Sequence, residues 1–401
     1  MSIVSQHYLP GRRRAVAAAA IGVLALTGAA GVAQAQSKPE PYRVGALLSV
    51  TGGLAVAGQP EREGVLLAQK VINARGGVNG RQLEILLEDD GSNPDSAVSK
   101  ANALLHSQKV IAIIGPSAIA QTVAIGGTTQ SMKVPMLAFT GLGPPVERER
   151  TCVMHMTPAQ ELNARAMLSY ARDNGYKRVG VLHDSGYGQV IWNSMKTLGG
   201  EYGIDFAQVE KYELATNDAT TQAAKVKAAN PDAVLVLGTS PAPFRNIRQL
   251  KMTQPVIATH ASSTYENVKA MGEGADNIIH AEFLVAEDPL PQQKEFVEAF
   301  QKEYGKLPKN FAAAGWDSVM VLAAALKDAG PNPSGDKLCA AVRRVHEGAM
   351  TRYDFTQPDM GGFTLAGYTY SKLTGGRYTR PHYKAGAPQE SRLAPPHPLN
   401  T

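Results

Sequence analysis

Short apolar runs rich in β-branched residues alternate with amphipathic stretches along most of the chain. Residues 42–48, 82–88, 110–114 and 134–139 read as strands, and 61–74, 95–106 and 118–132 carry helical spacing. Strands separated by helices at this interval call for parallel pairing with crossover helices. The pattern restarts with strands at 178–183, 206–212, 233–237 and 255–259, and with helices opening after 158, 187, 219, 241 and 264. Two successive α/β units are therefore predicted. From about Pro289 to Glu347 the chain turns to consecutive helices. There Phe296, Phe300 and Tyr304 recur at i, i+4 and i+8, and Val319, Leu322, Ala323 and Leu326 at i, i+3, i+4 and i+7, both spacings of core-facing stripes. Residues 364–371 read as one more strand, and no short-period repeat is present.

The two ends break the pattern. Arg12, Arg13 and Arg14 precede a nearly uncharged run over 15–33 that closes on Ala33-Gln34-Ala35 and turns polar at Gln36. That order is the one of a secretory signal peptide, cleaved near Ala35; the alternative is a membrane-spanning anchor, which a run dominated by Ala and Gly suits poorly. Whether export would use the general or the twin-arginine route stays open. No Cys lies near the cleavage point, against a lipid anchor. Beyond Lys384 the tail holds Pro388, Pro395, Pro396 and Pro398 with little apolar content, and 385–401 reads as disordered.

Composition changes the picture only once the leader is set aside. The 401 residues carry 40 Lys+Arg against 35 Asp+Glu, a formal +5. Three of those cations lie in residues 1–35, so the mature chain would hold +2 and a soluble, periplasmic location is expected. Basic residues form no stripe interleaved with aromatics, which disfavours nucleic acid. With two Cys, neither a disulfide scaffold nor a Cys-rich zinc protein fits.

Catalytic patterns are poorly represented. No GxxxxGK[ST] loop occurs, no GxGxxG opens a helix after a strand, and the nine His show no HExxH spacing. His183, Asp184 and Ser185 are adjacent, but neighbours at a strand end point in different directions and cannot form a relay through proximity. No enzymatic activity, cofactor or metal is expected. What remains is a set of Gly/Ser/Thr-rich loops after predicted strands: 49–53, 115–119, 140–143, 184–188, 238–241 and 259–264. Singly, such loops are turns and helix caps. As two complete sets at the carboxyl edge of α/β sheets, they are better explained as a binding cleft.

The run Glu63-Gly64-Val65-Leu66-Leu67-Ala68, then Ile72-Asn73-Ala74-Arg75-Gly76-Gly77-Val78-Asn79-Gly80-Arg81, then Glu88-Asp89-Asp90, resembles the branched-chain amino-acid-binding family. So do Ile113-Ile114-Gly115-Pro116-Ser117, Val134-Pro135-Met136, Asp184-Ser185-Gly186-Tyr187-Gly188 and Gly315-Trp316-Asp317-Ser318, over roughly 40–375. These are periplasmic receptors of ABC importers with the type I periplasmic-binding-protein fold. The resemblance implies two doubly wound, Rossmann-like lobes joined by three hinge crossovers near Thr157, Leu284 and Arg352. Lobe one would take 40–156 and 285–350, and lobe two 158–283 and 353–384. The implied partners are a small-molecule ligand and the permease and ATPase of an ABC importer, met as a monomer.

Carried over position by position, the family's pocket falls on Ser117, Ala118, Ile119, Thr140 and Leu142 in lobe one. In lobe two it falls on Tyr187, Thr239 and His260, with Phe311 added from the later helices. Amino-acid-binding members carry hydroxyl residues where Ile119 and Leu142 align and an acid, pairing the ammonium, where His260 aligns. Losing those partners would leave a buried ammonium unpaired at a cost of several kcal/mol. The implied ligand is a small carboxylate or aromatic acid, with Tyr187 and Phe311 as apolar walls. A branched-chain amino acid is the alternative, as is a sensor without a transport role; for His260 itself a plain surface-loop histidine is the bland alternative. Cys152 and Cys339 fall in the same implied lobe, where they either pair or stay buried as free thiols.

Overall fold

A computed structural model describes residues 39–142, 144–214, 216–357 and 361–381; the candidate leader and the 385–401 tail lie outside them. The first segment runs β1 (Tyr42–Leu48), α1 (Ala55–Ala74), β2 (Leu83–Asp89), α2 (Pro94–Asn102), β3 (Ile113–Ile114), α3 (Ile119–Met132), β4 (Met136–Ala138), α4 (Pro144–Glu147) and β5 (Val153–His155). The second runs α5 (Gln160–Asp173), β6 (Arg178–Asp184), α6 (Tyr187–Leu198), β7 (Asp205–Tyr212), α7 (Thr220–Ala228), β8 (Ala233–Leu237), α8 (Ala242–Gln249), β9 (Val256–Thr259), α9 (Tyr265–Met271) and β10 (Ile278–Glu282). The third holds α10 (Lys294–Tyr304), α11 (Asn310–Ala329), α12 (Gly335–Val342), β11 (Val345–Glu347), β12 (Arg352–Asp354), β13 (Thr369–Thr374) and β14 (Arg377–Thr379).

The strands form two main sheets. One is parallel, in the order β2-β1-β3-β4-β5; the other runs β14-β13-β10-β9-β8-β6-β7, parallel except where β13 and β14 add antiparallel at its edge. Strand β8, Ala-Val-Leu-Val-Leu, is buried at every position, as a strand covered by helices on both faces must be. The late helices return to the first lobe, where α11 packs along α1. That crossing depends on glycine: a Cβ on Gly64 would stand 1.9 Å from the Ala312 carbonyl oxygen, and one on Gly315 would stand 2.1 Å from that of Glu61. The two backbones touch because neither residue has a side chain. Among the described residues no helix is long and apolar enough to cross a membrane.

Several elements differ from the sequence expectation. Helix α1 starts at Ala55, six residues before the predicted start, with Pro60 inside it. The strand predicted over 364–371 begins only at Thr369, where pairing with Glu282 starts; a single turn at Leu365–Gly367 precedes it. Strand β10 went unpredicted because His280 and Glu282 break its apolar run, although both are fully buried. Strand β5 is too short, at three residues, to show an alternation. Cys152 and Cys339 are joined in a disulfide that ties the approach to β5 to α12.

One helix gathers the crossovers. Asn310 and Asp317 lie seven residues apart on α11, two turns along one face. Asn310 Oδ1 accepts from the amides of Phe283 (3.0 Å) and Leu284 (3.1 Å), and Asp317 accepts from those of Ala349 (2.6 Å) and Met350 (2.9 Å).

Candidate functional site

Both sheets wind outward from an inner strand, β1 in one and β6 in the other, so the winding direction reverses between β1 and β3 and between β6 and β8. Crevices of open α/β sheets lie at the carboxyl ends of such strands. The loops there are 49–53 and 115–119 in the first lobe, and 184–188 and 238–241 in the second.

In the first lobe, Gly115 has φ +95° and a Cβ there would lie 2.1 Å from the Leu47 carbonyl oxygen, so only glycine makes this turn. The chain then sets Ser117 behind Ser49. Ser117 Oγ accepts from the Ser49 amide (3.0 Å) and donates to Glu61 Oε2 (2.5 Å). Glu61, on α1, is 1% exposed, and burial pushes its carboxyl up to about 8 against the pull of the Ser117 bond, with the Asp90 charge adding to the rise. Ala118 is extended and hands over to α3 at Ile119 without any side-chain cap. The first amides of this 14-residue helix therefore keep their partial positive charge open. Thr122 Oγ1 donates to the Ala118 carbonyl (2.8 Å) and lies 3.4 Å from Thr140 Oγ1, while the Leu142 amide donates to Glu147 Oε1 (2.5 Å).

The second lobe is organised differently. Asp184, at the end of β6, accepts from the amides of Gly186 (2.9 Å), Gly188 (2.8 Å) and Thr239 (3.2 Å), so its own side chain satisfies the α6 entry. Ser185 Oγ accepts from the Leu214 amide, and His183 Nδ1 meets the backbone carbonyl of Asp184 rather than its carboxylate, so the adjacent trio forms no relay. Tyr187 OH accepts from Asn163 Nδ2 (3.3 Å), and Asn163 in turn accepts from Tyr368 OH (2.9 Å).

His260 is 5% exposed, and its Nδ1 is buried with no hydrogen-bond partner. Three rings surround it: Phe283 at 4.8 Å between centroids, Phe311 at 6.1 Å and Tyr187 at 6.2 Å. Burial, then the charge of Lys309, lowers its pKa to about 3, so the imidazole is neutral at pH 7. Lys309 itself is bound to Glu282 Oε2 at 2.8 Å, in a pair that is 6% and 0% exposed.

The residues predicted from sequence therefore fall into two sets. Tyr187, His260 and Phe311 form one ring cluster, and Phe311, carried on α11, is the member that reaches it from the first lobe. Ser117, Ala118, Ile119 and Thr140 form the other, through Thr122 and the start of α3. Thr239 touches the Asp184 cap with its backbone, and Leu142 is held by Glu147. Among the described residues no hydrogen bond or ring contact links Leu142 or Thr239 to the ring cluster.

Sequence reasoning missed Glu61, Asn163, Phe283 and Lys309. For Glu61 a signal existed: it sits on the buried stripe Gly58, Glu61, Val65, Ala68, Ile72, an acid where only apolar residues belong. A cavity of about 920 Å³ lies elsewhere, at the opposite edge of the second sheet, lined among others by Tyr170, Tyr176, Arg248, Val256, Ile279 and Lys372. It contains none of the predicted residues, and the chemistry described above does not depend on it.

Two α/β lobes, with two of the connecting segments held by one helix, and Gly/Ser/Thr-rich loops at the carboxyl ends of both sheets are the architecture of a bilobed solute-binding protein. The chain belongs to the periplasmic binding protein family, whose model matches residues 41–364. It is 25% identical over 308 residues to the Leu/Ile/Val-binding protein homolog 7 of Brucella abortus, covering 72% of this chain and 77% of that one. It is 24% identical over 320 residues to the leucine-, isoleucine-, valine-, threonine- and alanine-binding protein of Pseudomonas aeruginosa, covering 78% and 85%. Among solved structures, the leucine-binding protein LivK of Thermotoga maritima superposes with a TM-score of 0.74 at 25% identity, covering 85% of this chain and 97% of that one. LivJ of Streptococcus pneumoniae, in complex with isoleucine, gives 0.75 at 22% identity over 85% and 100%, a likeness of fold. Family and fold are those of solute-binding proteins rather than enzymes, and the family places the chain outside the cytoplasm.

Proposed function

We propose that this protein is the solute receptor of an ABC importer, delivering its ligand to a permease and ATPase, and that the ligand is a small carboxylate or aromatic acid. The lobes are 40–156 with 285–350, and 158–283 with 353–384, closing on the solute by hinge motion. Its contacts are Ser117, Ala118, Ile119, Thr140 and Leu142 on one side and Tyr187, Thr239, His260 and Phe311 on the other.

The observation that carries this is the state of His260. Where amino-acid-binding relatives align an acid, a neutral imidazole sits among three rings, and it supplies no counter-charge for an ammonium. The open amides at the start of α3 favour an anion. Aromatic walls of Tyr187, Phe283 and Phe311 suit a flat apolar body. The relatives named for leucine favour the second reading, a branched-chain amino acid. Titration calorimetry of the mature protein against leucine, valine, benzoate and short aliphatic acids decides between them. Binding of benzoate or an aliphatic acid without leucine is expected, and submicromolar leucine binding would sink the proposal.

A further inference from the structure

Ser117 has one hydrogen, and with an ionised Glu61 that hydrogen is already committed. Its Oγ accepts from the Ser49 amide at 3.0 Å and faces Glu61 Oε2 at 2.5 Å, so a carboxylate there takes the serine proton and leaves nothing to donate to a bound anion. A protonated Glu61 reverses the bond. The carboxylic O–H donates to the second lone pair of Ser117 Oγ, and the serine hydrogen is free to turn toward the cleft. We propose that Glu61 is a positioning residue of the solute site: by keeping its proton it turns Ser117 into a donor for the solute's carboxylate, and so couples binding to proton retention. This rests on the carboxylate reading above, and on Ser117 belonging to that site.

The surroundings of Glu61 favour the protonated form. It is 1% exposed and takes part in none of the ion pairs among the described residues. Its backbone carbonyl packs against Gly315 of α11, and its carboxyl meets Ser117 of the loop after β3. The charged group that acts on it is Asp90, on the loop after β2, whose Oδ1 accepts from Ser49 Oγ at 2.7 Å. Asp90, Ser49, Ser117 and Glu61 thus form one chain of carboxyl, two serines and carboxyl, with no cation in it. A second anion arriving at Ser117 can only tighten the hold of Glu61 on its proton.

The consequence is directional. Below about pH 7 the proton is already present and binding takes up none. Above pH 8, where free Glu61 is largely ionised, binding draws in up to one proton, and affinity falls about tenfold per pH unit. A glutamine at 61 offers its N–H to Ser117 permanently and mimics the protonated acid.

Carboxyl carbon NMR of the ligand-free mature protein, with Glu61→Gln to assign the signal, should show a Glu61 midpoint near 8. A midpoint below about 5 overturns the proposal whatever the solute is. Calorimetry with benzoate at pH 9, in Tris and in borate, should show uptake approaching one proton per benzoate in the wild type and none in Glu61→Gln. The variant should also keep its affinity from pH 6.5 to 9.5. Equal, pH-independent affinity in both proteins overturns the coupling. Absence of binding by both benzoate and the short aliphatic acids overturns the carboxylate reading on which the coupling rests, while the NMR midpoint still decides where the proton lies.

Discussion

Each side of the proposed cleft buries a titratable group that is neutral at pH 7, and the two sit in opposite surroundings. In the first lobe Glu61 has a hydroxyl partner in Ser117 and a like charge nearby in Asp90. In the second His260 has rings on three sides, a cation in Lys309 close enough to act on it, and an Nδ1 with no partner. Burial neutralises both at pH 7, raising the acid to about 8 and lowering the imidazole to about 3. Neither group therefore brings a charge to the proposed site at pH 7, and on the reading proposed above selection falls to dipoles and shape: open amides at the start of α3 on one side, aromatic faces on the other. The lobes also differ in their helix entries. Asp184 satisfies the α6 amides from within lobe two, whereas the start of α3 has no side-chain cap.

The largest expected effect breaks the electrostatic half of this contrast. Lys309→Met leaves Glu282 fully buried without its cation, and one-sided removal of a buried pair costs about 3–5 kcal/mol. Urea unfolding at pH 7 measures it. Because the Lys309 charge is the second cause of His260's low pKa, the His260 titration should also move upward. Exchanging both partners, Lys309→Met with Glu282→Met, should recover most of the stability. A loss under about 1 kcal/mol would mean that the pair is effectively solvated and that burial alone neutralises His260.

Next in size are the two limbs of the pH–stability curve. The folded chain holds the Glu61 proton more tightly than the unfolded chain, whose ordinary value is 4.5. Its contribution is therefore whole below about pH 4.5 and is lost as pH rises through about 8. His260 runs the other way: its contribution is whole above 6.5 and is lost as pH falls through about 3. Each limb is worth at most about 5 kcal/mol. Glu61→Gln should flatten the alkaline limb only, and His260→Leu the acid limb only, in unfolding free energies measured from pH 4 to 9. If one substitution flattened both limbs, the walls would not titrate independently.

How far the sequence carries this contrast depends on where its signals are local. Residues 42–48 and 233–237 show their strands directly, because parallel strands covered on both faces are continuous apolar runs. The ring cluster was partly legible, since the resemblance names Tyr187, His260 and Phe311 and the structure sets the rings of Tyr187 and Phe311 6.2 and 6.1 Å from that of His260. Phe283 was not, because its path is fixed by long-range bonds, its amide donating to Asn310 and its carbonyl accepting from Gln293. Strand β10 was hidden by its own buried polar residues, His280 and Glu282, which period-based reading assigns to a surface. Lys309 finds its partner 27 positions away, and no spacing along the chain announces that. Glu61 was legible in principle, as an acid on a buried helical stripe, and was passed over because the stripe's start at Ala55 was placed too late.

The smallest expected effect separates the walls most finely. Thr140 and Tyr187 each carry a hydroxyl at the proposed cleft, and the two are held differently. Tyr187 OH accepts from Asn163 Nδ2 at 3.3 Å, and Asn163 is fixed in turn by Tyr368, so the phenol is anchored within lobe two. Thr122 already donates to the Ala118 carbonyl, so at 3.4 Å Thr140 is the donor of that weak contact and can turn its hydrogen to a solute at little cost. Thr140→Val should then weaken benzoate binding by about 0.5–1.5 kcal/mol, roughly 2- to 10-fold, while Tyr187→Phe keeps the ring and leaves affinity within about twofold. Calorimetry on the two variants at pH 7 reads both. The reverse ranking would place the solute's carboxylate against lobe two, with its apolar body on the α3 side, and would turn the assignment of the two walls around.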